Sequence, residues 1–599
     1  MPSDRLQRAA RFIPGLKWLV GYNRQTLVED ALASLITAIL LIPQSLAYAL
    51  LAGLPAQAGL YASITPLLAY ALFGSSRVLA VGPVAVVSLM TAAAIGNLGL
   101  TDPAEQMAAA GALALLCAGF LLLFGIFKLG SVSNFLSRPV VGAFITASTV
   151  LIIASQARHI LGITSHGATL PELALSMSGE LGAINPVALA LGVASIAFLI
   201  ASRGLLPRLL VAMKLNAGLA QAISRAAPAV LVLLATFTAW QFHLHDTARL
   251  AIVGALPTGL PPFQLPIVSL PVWRQLIGPA ALISLIGFVE SVSVGQSLAA
   301  RRRESVVPDR ELIGLGAANA AAALTGGYPV TGGFARSVVN EAAGAQTPLA
   351  GVFTAIIILV VALFFTPLFY HLPKATLAAT ILVAVAKLAD FDGAWKAWKY
   401  APADGAAAFL TLFGVLFLGV EIGLTLGVAV SVGLVLHRTM TPHWTRVGQV
   451  PGTHHFRNPA RHEVIISPQV YSLRIDSALF FANARFLEDL VSRIIAENEG
   501  ITDVVLMFPA VNFVDASALE SLQAINHRLE TANVRLHLSE VIGPVSDRLS
   551  SAGFLEELSG EVFLSQYAAM RTLDPETTLR AEGLGDQSER PGETETDPA

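Results

Sequence analysis

The chain has 599 residues, of which 54% are apolar and only 13% are charged, and its formal net charge is −3. Its mean hydropathy of +0.67 lies far above that of soluble globular proteins, in which about a quarter of the residues are charged. These values exclude a soluble protein and give no sign of nucleic-acid binding. The single cysteine, Cys117, excludes a disulfide scaffold and a multi-cysteine metal cluster.

The chain divides by composition into five parts. Residues 1–27 are basic and lack the short apolar stretch and small-residue cleavage site of a signal peptide. Residues 28–438 hold apolar runs of about 20 residues, the length that spans a bilayer, and are predicted to form a transmembrane domain. Residues 439–463 are predicted to be a linker, and 464–570 have the composition of a soluble domain. Residues 571–599 are acidic and rich in Pro, Gly and Thr, which predicts a disordered tail.

The transmembrane part contains fourteen apolar segments, several of them short, centred near residues 40, 65, 87, 117, 148, 193, 234, 287, 319, 336, 359, 381, 412 and 429. With fourteen spans, both termini lie on the same side of the membrane. The loops on that side hold 14 lysines and arginines, whereas the opposite loops hold 4, namely Arg158, Arg249, Arg274 and Lys374. Because basic loops remain in the cytoplasm, both termini are predicted to be cytoplasmic, in a cell (inner) membrane.

Two of the apolar segments are interrupted by glycine and proline. One has a Gly-Pro pair that ends at Pro83, and the other is Gly326–Phe334. Irregular backbone at membrane depth must line a cavity or be buried in protein, and matching interruptions in two halves indicate a transporter's binding site. Pro83 and Pro329 differ by 246 in number, as do Gln44 and Glu290. This common offset predicts an internal repeat of seven spans, whose halves are inverted because seven is odd.

The interrupted segments predict an anion site. A helix that begins within the membrane presents free N–H groups and the positive end of its dipole, and both attract an anion. Pro83 suits the first position of one half-helix, and Thr331 is expected to cap the other. Arg336, about one turn into the second half-helix, adds a charge and a hydrogen-bonding fork. The alternative is that the glycines only permit close packing of helices.

Glu290 lies alone in a long apolar segment, eleven residues before Arg301. That spacing places it about 16 Å from the end of a helix, near the membrane midplane. Burial there favours the neutral carboxyl group, which suits loading and release of a proton. The alternative is a carboxylate that is permanently paired with Arg336 or held in a buried hydrogen bond. Gln44, at the matching place in the first span, either donates to an anion or satisfies the carbonyl group freed by Pro43.

The soluble part alternates strand-like and helix-like stretches, which predicts a small α/β domain with a mostly parallel sheet. The predicted strands are Val470–Ile475, Val504–Phe508 and Val534–Leu538, and the predicted helices are Ala484–Ala496 and Ser517–Leu529. Asp515 or Ser517 is expected to cap the second helix. Nowhere does the sequence contain a nucleophile elbow, a phosphate-binding loop or a dinucleotide fingerprint, so no catalytic residue, metal or cofactor is predicted.

Together these motifs resemble the SulP family of anion permeases, called solute carrier family 26 in animals. In the transmembrane part the resemblance rests on Ile42–Ala49, Gly59–Ser63, Val81–Val86, Gly287–Ser291 and Pro329–Ser337. The soluble part is similar to the STAS domain through Phe480–Ala484 and Asp515–Ser517. The resemblance implies a polytopic α-helical protein of 14 spans, arranged as a 7+7 inverted repeat with core and gate domains. It also implies a small cytoplasmic α/β STAS domain and a homodimer.

The resemblance implies roles for individual residues. The anion site lies between the third and tenth spans and takes contributions from Gln44, Tyr48, Val84, Ala85, Val86, Phe334, Ala335 and Arg336. Glu290 occupies the position of an acidic residue that accompanies proton coupling in sulfate-transporting members. Several relatives carry a serine where this chain has Ala335, so one hydroxyl group is missing. The serine that matches Ser517 is phosphorylated in bacterial anti-sigma-factor antagonists, which makes Ser517 a candidate regulatory site.

By this resemblance, the chain is expected to be a secondary transporter in the lipid bilayer that takes up sulfate with protons by an elevator-like, alternating-access movement. The alternatives within the family are transport of bicarbonate or a C4-dicarboxylate, and anion exchange. An alternative of another class is a membrane sensor or scaffold that binds a cytosolic partner through the STAS domain. Neither an enzyme activity nor nucleic-acid binding is expected.

Overall fold

The structure is a computed structural model that describes residues 22–131, 137–213, 217–256 and 259–588. The chain forms two compact units that divide between Val432 and Gly433. The first unit is a bundle of helices, and the second unit, which begins within the last helix of that bundle, contains a β-sheet with helices packed on it.

The helical unit has two halves. The first contains α1 (Arg24–Leu51), α2 (Gln57–Tyr61), α3 (Thr65–Phe73), β1 (Val81–Gly82), α4 (Ala85–Gly96), α5 (Pro103–Ile126), α6 (Arg138–Leu161), α7 (Leu170–Gly179), α8 (Pro186–Ala212), α9 (Ala217–Gln241) and α10 (Leu244–Ala248). The second contains α11 (Leu270–Arg301), α12 (Pro308–Leu324), β2 (Thr331–Gly332), α13 (Phe334–Ala342), α14 (Leu349–Val360), α15 (Lys374–Val385), α16 (Phe391–Tyr400), α17 (Pro402–Leu418) and α18 (Val420–Met440). Each of the fourteen predicted segment centres falls within one of these helices.

Not every helix is long enough to cross a bilayer. By length and composition, six helices in the described ranges can do so, and seven if the bent pair within α8 is one span. The six are Arg24–Leu51, Pro103–Ile126, Arg138–Leu161, Leu270–Ala300, Leu349–Phe369 and Val420–Met440. The half-helices α4 and α13 have only 12 and 9 residues. The first part of each span is rich in glycine and proline and forms extended backbone rather than helix.

The two halves correspond, but not at a constant offset. Helices α1 and α11 begin at Arg24 and Leu270, which differ by 246 in number, whereas they end at Leu51 and Arg301, which differ by 250. Helix α11 therefore contains one additional turn. Beyond that turn the strands β1 and β2 also differ by 250. The predicted match of Pro83 with Pro329 is therefore wrong, although the predicted repeat is present.

Most of the helices pack in two groups, each drawn from both halves, and the groups meet where α1 and α14 share a core with α9 and α15. Helices α1, α3, α5, α11, α12 and α14 pack on one another, while α6, α8, α15 and α17 form the second group. Buried alanine allows close approach in the first group: Ala110 and Ala114 of α5 share a core with Ala318 and Ala322 of α12.

The second unit contains a five-stranded sheet in the order β3-β6-β7-β8-β9. The strands and helices of this unit are β3 (Trp444–Arg446), β4 (Gly448–Gln449), β5 (Phe456–Arg457), β6 (Val470–Ile475), α19 (Ala484–Glu497), β7 (Asp503–Met507), α20 (Ala516–Thr531), β8 (Arg535–Ser539), α21 (Gly543–Ser551), α22 (Phe554–Glu557), β9 (Val562–Phe563), α23 (Gln566–Leu573) and α24 (Pro575–Ser588). Strands β4 and β5 form a separate antiparallel pair. Only the β3–β6 pair is antiparallel among these described strands of the sheet. The predicted strands and helices of the α/β domain are confirmed to within two residues.

The segment after residue 570 differs from the predicted disordered tail. Helix α24 occupies Pro575–Ser588, and the carbonyl oxygen of its Ala581 accepts a hydrogen bond from the backbone N–H of Gly452 (3.0 Å). The hydroxyl group of Tyr567 donates to Glu582. These tertiary contacts order a polar sequence whose composition alone predicts disorder. The predicted tail residues 589–599 and most of the segment 1–27 lie outside the described residues.

Candidate functional site

The two interrupted segments cross inside the helical unit. Strands β1 and β2 pair antiparallel, with Val81 opposite Gly332 and Gly82 opposite Thr331. The N–H of Gly333 also donates to the carbonyl oxygen of Ala80 (3.2 Å). The extended backbone of each half therefore supplies hydrogen-bond partners for peptide groups of the other, so these groups are not left unpaired at membrane depth.

A half-helix begins immediately after each strand. Val84 is the N-cap of α4 and Gly333 is the N-cap of α13, and neither helix start has a side-chain cap. The predictions for Pro83 and Thr331 are therefore wrong: Pro83 precedes the N-cap, and Thr331 is part of β2. The strand pairing shifts both helix starts toward the C-terminus. Their first N–H groups are left without helical acceptors, as at any helix start.

Arg336 connects the two half-helices. It lies in the first turn of α13 and is 3% exposed. Its Nη2 donates to the carbonyl oxygens of Gly82 (2.6 Å) and Thr331 (3.0 Å). Its Nε and Nη1 are buried without a hydrogen-bond partner. An unpaired buried donor costs about 1–3 kcal/mol, and more when it is charged, so Nε and Nη1 are donors that a bound anion would satisfy.

The residues predicted for the site differ in how far they are buried around Arg336. Val84, Ala85 and Val86 are buried at the start of α4, whereas Phe334 and Ala335 at the start of α13 are exposed. Tyr48 of α1 is buried and close enough to Arg336 for an electrostatic interaction. Gln44 is half-buried one turn earlier on α1, and no hydrogen bond joins it to the other described residues.

Glu290 lies on α11 beside the crossing. It is half-buried and close enough to Arg336 for an electrostatic interaction. Within the described ranges no ion pair or hydrogen bond joins it to Arg336 or to any other group. The alternative of a carboxylate held in a fixed pair is therefore not what the structure shows.

A set of buried polar side chains holds the crossing in place, and sequence reasoning missed it. Asn319 of α12 donates to the carbonyl oxygen of Val330 (2.9 Å) and accepts from its N–H (3.0 Å). Ser291, next to Glu290, accepts from the N–H of Gly332 (2.8 Å). The signal for Asn319 and Ser291 was present, since isolated polar residues in apolar helices need partners.

The second half-helix contributes two further side chains of this kind. Ser337 accepts from the N–H of Ala80 (2.9 Å), and Asn340 donates to the carbonyl oxygen of Val78 (3.0 Å). Both are buried. Side chains of α13 thus satisfy the backbone that leads into β1.

In the second unit, Ser517 is exposed at the second position of α20. Asp515 caps this helix: its Oδ1 accepts from the N–H of Ala518 and its Oδ2 from that of Phe481, each at 2.9 Å. Of the two residues predicted to cap this helix, Asp515 is therefore the one that does so, and the hydroxyl group of Ser517 takes no part in capping.

Comparison with protein families identifies both units. The model of the sulfate permease family matches residues 27–411, and that of the STAS domain matches residues 461–569. The chain belongs to the sulfate permease family. It is 33% identical over 568 residues to the chloroplastic sulfate transporter 4.1 of Arabidopsis thaliana, covering 92% of this chain and 80% of that protein. It is 30% identical over 571 residues to the probable sulfate transporter Rv1739c of Mycobacterium tuberculosis, covering 94% and 98%.

Solved structures show the same fold. Murine Slc26a9, an anion transporter captured in an inward-facing state, superposes with a TM-score of 0.84 at 23% identity, covering 95% of this chain and 94% of that one. The transmembrane domain of the cyanobacterial bicarbonate transporter BicA gives a TM-score of 0.56 at 21% identity over 69% of this chain. The predicted fold is confirmed. This sulfate permease family member is a multi-pass membrane transporter of anions, and its family consists of transporters rather than enzymes.

Proposed function

We propose that the protein takes up sulfate together with protons by an elevator-like, alternating-access movement. The observation that carries the proposal is the pair of buried, unpartnered atoms Nε and Nη1 of Arg336, set between the starts of two half-helices. A dianion with tetrahedral oxygens suits several donors that converge from different directions. The sulfate transporters among the relatives support this choice of anion.

In this proposal the anion is bound mainly by N–H groups. The N–H groups of Ala85 and Val86, after the N-cap Val84, approach it from one side, and those of Phe334 and Ala335 approach it from the other. The guanidinium group of Arg336 completes the set, and Tyr48 and Gln44 of α1 face the same space. Because Ala335 has no hydroxyl group, its contribution is limited to the backbone.

Glu290 is the proton carrier in this proposal. A carboxylate beside the site repels sulfate, since both are negative, and protonation removes that repulsion. Proton and anion therefore favour each other's binding, which is the thermodynamic requirement for coupled uptake. A half-buried carboxyl group without a fixed partner can exchange its proton when the cavity opens.

A cavity of about 870 Å³ supports access from one side of the membrane. It lies between α6 and α11, and its wall includes Val289 and Ser293, which are near Glu290 along the helix, whereas Glu290 itself does not line it. Arg138 of α6 also lines it. The cavity separates helices of the two packing groups, as expected if one group slides against the other.

Anion binding is tested with Arg336→Gln in purified protein. Loss of charge-assisted hydrogen bonds worth about 2 kcal/mol should weaken sulfate binding roughly 30-fold. The matched control is Arg310→Gln, which changes an exposed arginine near the start of α12 and should leave the affinity unchanged. Wild-type affinity in the Arg336 variant would remove this residue from the site, and competition by bicarbonate, succinate and fumarate would show whether sulfate is preferred.

Proton coupling is tested in proteoliposomes loaded at neutral pH. An inward proton gradient should accelerate uptake of labelled sulfate by the wild type, and Glu290→Gln should abolish the acceleration. Glu421→Gln, at the start of α18, is the control and should respond as the wild type does. Uptake that is indifferent to the gradient in the wild type would disprove coupling.

We further propose that residues 28–438 are the transport domain and 464–570 the STAS domain of a homodimer in the cell (inner) membrane. The predicted linker 439–463 is not a separate segment, because its strand β3 pairs with β6 in the sheet of the second unit. In this proposal both termini lie in the cytoplasm. Labelling of single cysteines introduced near each end in intact and opened cells tests the orientation, and mass measurement in detergent tests the dimer.

We also propose that Ser517 is a regulatory phosphorylation site. It is exposed at the start of α20, where the helix dipole favours a phosphate group, and its hydroxyl group is not used in capping. Ser517→Asp should change the uptake rate relative to Ser517→Ala, and equal rates would contradict the proposal.

A further inference from the structure

Helix α16 (Phe391–Tyr400) packs on the transport unit through small residues and through one side of Trp398, whose ring lies 6.1 Å from that of Phe409 in α17. Ala394 is 5% exposed and shares a small core with Ala143 of α6 and Ala408 of α17. The start of the helix is tied to α6, because the hydroxyl group of Thr146 accepts from the N–H of Asp390 (3.0 Å) and donates to its carbonyl oxygen (3.3 Å). The helix is thus fixed in position while most of its circumference remains uncovered.

The uncovered side has an aromatic strip. Phe391, Trp395 and Trp398 are 63%, 54% and 42% exposed. At 100° per residue these three lie within about 60° of one another, directly beside the small residues that face the bundle. Tyr400 is 94% exposed at the end of the helix. In a protein whose neighbouring helices cross a bilayer, exposed tryptophan and tyrosine are typical of the membrane–water interface.

A polar strip follows the aromatic one. Lys396 and Lys399 are exposed there, and the ammonium group of Lys399 lies 5.8 Å from the centre of the Trp395 ring. Lys387 is exposed one turn before the helix. Two acidic side chains lie at the helix start: Asp390 is the N-cap and accepts from the N–H of Gly393 (3.0 Å), and Asp392 is exposed on the same face as the two lysines. Cations therefore flank the aromatic strip beyond the first turn.

From this arrangement we infer that α16 is a lipid-binding element that lies in the membrane interface and binds the headgroups of anionic phospholipids. Phe391, Trp395 and Trp398 insert beside the upper acyl chains, and Lys387, Lys396 and Lys399 contact headgroup phosphates. Through Thr146 and Ala143 the bound lipid holds α6 against the bilayer. Lipid binding by α16 does not depend on which anion is transported.

Quenching of tryptophan fluorescence by brominated lipid tests the insertion. The protein is reconstituted in phosphatidylcholine vesicles that contain a minor fraction of either brominated phosphatidylglycerol or brominated phosphatidylcholine. The wild type should be quenched more than Trp395→Phe/Trp398→Phe, and more by the anionic lipid than by the zwitterionic one. Equal quenching of the two proteins would place α16 outside the lipid and overturn the inference.

Lysine substitutions test the choice of lipid. In Lys387→Gln/Lys396→Gln/Lys399→Gln the preference for phosphatidylglycerol should fall roughly fivefold for each lysine replaced, whereas the triple arginine variant should keep it. Lys374→Gln, at the start of α15, is the matched control and should also keep it. A triple glutamine variant with wild-type preference, or an equal loss in Lys374→Gln, would disprove headgroup binding by α16. Soluble inorganic phosphate at matched ionic strength should not compete, and competition would show that the site binds free phosphate rather than lipid.

Discussion

Adding one methyl group, by the substitution Gly333→Ala, tests the placement of Arg336 in the site. A Cβ atom at Gly333, the N-cap of α13, would lie 2.6 Å from Nε of Arg336, and 3.1 Å from both Nη2 of Arg336 and Cγ1 of Val84, so its closest contact is with the guanidinium group. The backbone of Gly333 has φ −90°, which alanine adopts without strain, so Gly333→Ala acts through contact rather than conformation. To restore an ordinary contact of 3.4 Å, the guanidinium group must move by about 0.8 Å.

That movement has a calculable cost. It stretches the hydrogen bond from Nη2 to Gly82, which is 2.6 Å long. Partial loss of a charge-assisted hydrogen bond costs about 1–2 kcal/mol, so we expect sulfate to bind roughly five- to thirtyfold more weakly. The measurement is a binding titration with labelled sulfate in detergent, beside a thermal denaturation curve that verifies folding.

Two comparisons isolate the cause. Gly96→Ala, at the end of α4, places its methyl group in open space and should leave the affinity unchanged. In an Arg336→Gln background, Gly333→Ala should have little further effect, because the two substitutions act through the same group and are not additive. A full loss of affinity in both backgrounds, or no loss in the wild-type background, would refute the placement of Arg336 in the site.

Two further predictions concern stability. Asn319→Ala leaves the buried N–H and carbonyl groups of Val330 unpaired, at about 1–3 kcal/mol each, and should lower the melting temperature in detergent clearly more than the average alanine substitution. His537 of the STAS domain accepts from the N–H of Glu561 and bonds Asp503 through Nε2 (3.0 Å), an arrangement that fits the neutral ring. Burial lowers the pKa of His537, so the unfolded chain takes up its proton more readily and stability should fall as the pH drops below about 6.5. His537→Gln should remove this part of the pH dependence of the melting curve, and an unchanged dependence would assign it to other groups.

Much of the fold follows from the sequence for simple physical reasons. A run of about 20 apolar residues has few alternatives to a membrane helix, so all fourteen segment centres fall in helices. Pro83 and Pro329, each next to glycine, mark the interruptions, because glycine combined with proline favours non-helical backbone more strongly than an isolated proline does. The STAS strands are equally readable, since β7 is buried on both faces and its sequence, Asp503–Met507, is almost wholly apolar.

The sequence did not predict which residues of β1 and β2 pair where the two interrupted segments cross. Nothing in the apolar pattern of α11 shows that it has one more turn than α1, because the turn adds residues of the same kind. The strand pairing then fixes where each half-helix begins, and that pairing depends on Ser337 and Asn319, whose partners are distant in the chain. The cap assigned to Thr331 was wrong for this reason.

The crossing also constrains how the transporter can move. The guanidinium group of Arg336, from the second half, bonds Gly82 of the first, and β1 pairs with β2. A hinge between the halves would break these buried hydrogen bonds and leave polar groups unpaired in an apolar environment, at several kcal/mol. In the elevator-like movement proposed above, both half-helices travel together with Glu290 and α11, so none of these hydrogen bonds is broken. The bonds that build the site therefore favour a rigid-body movement of the whole site across the membrane over its disassembly.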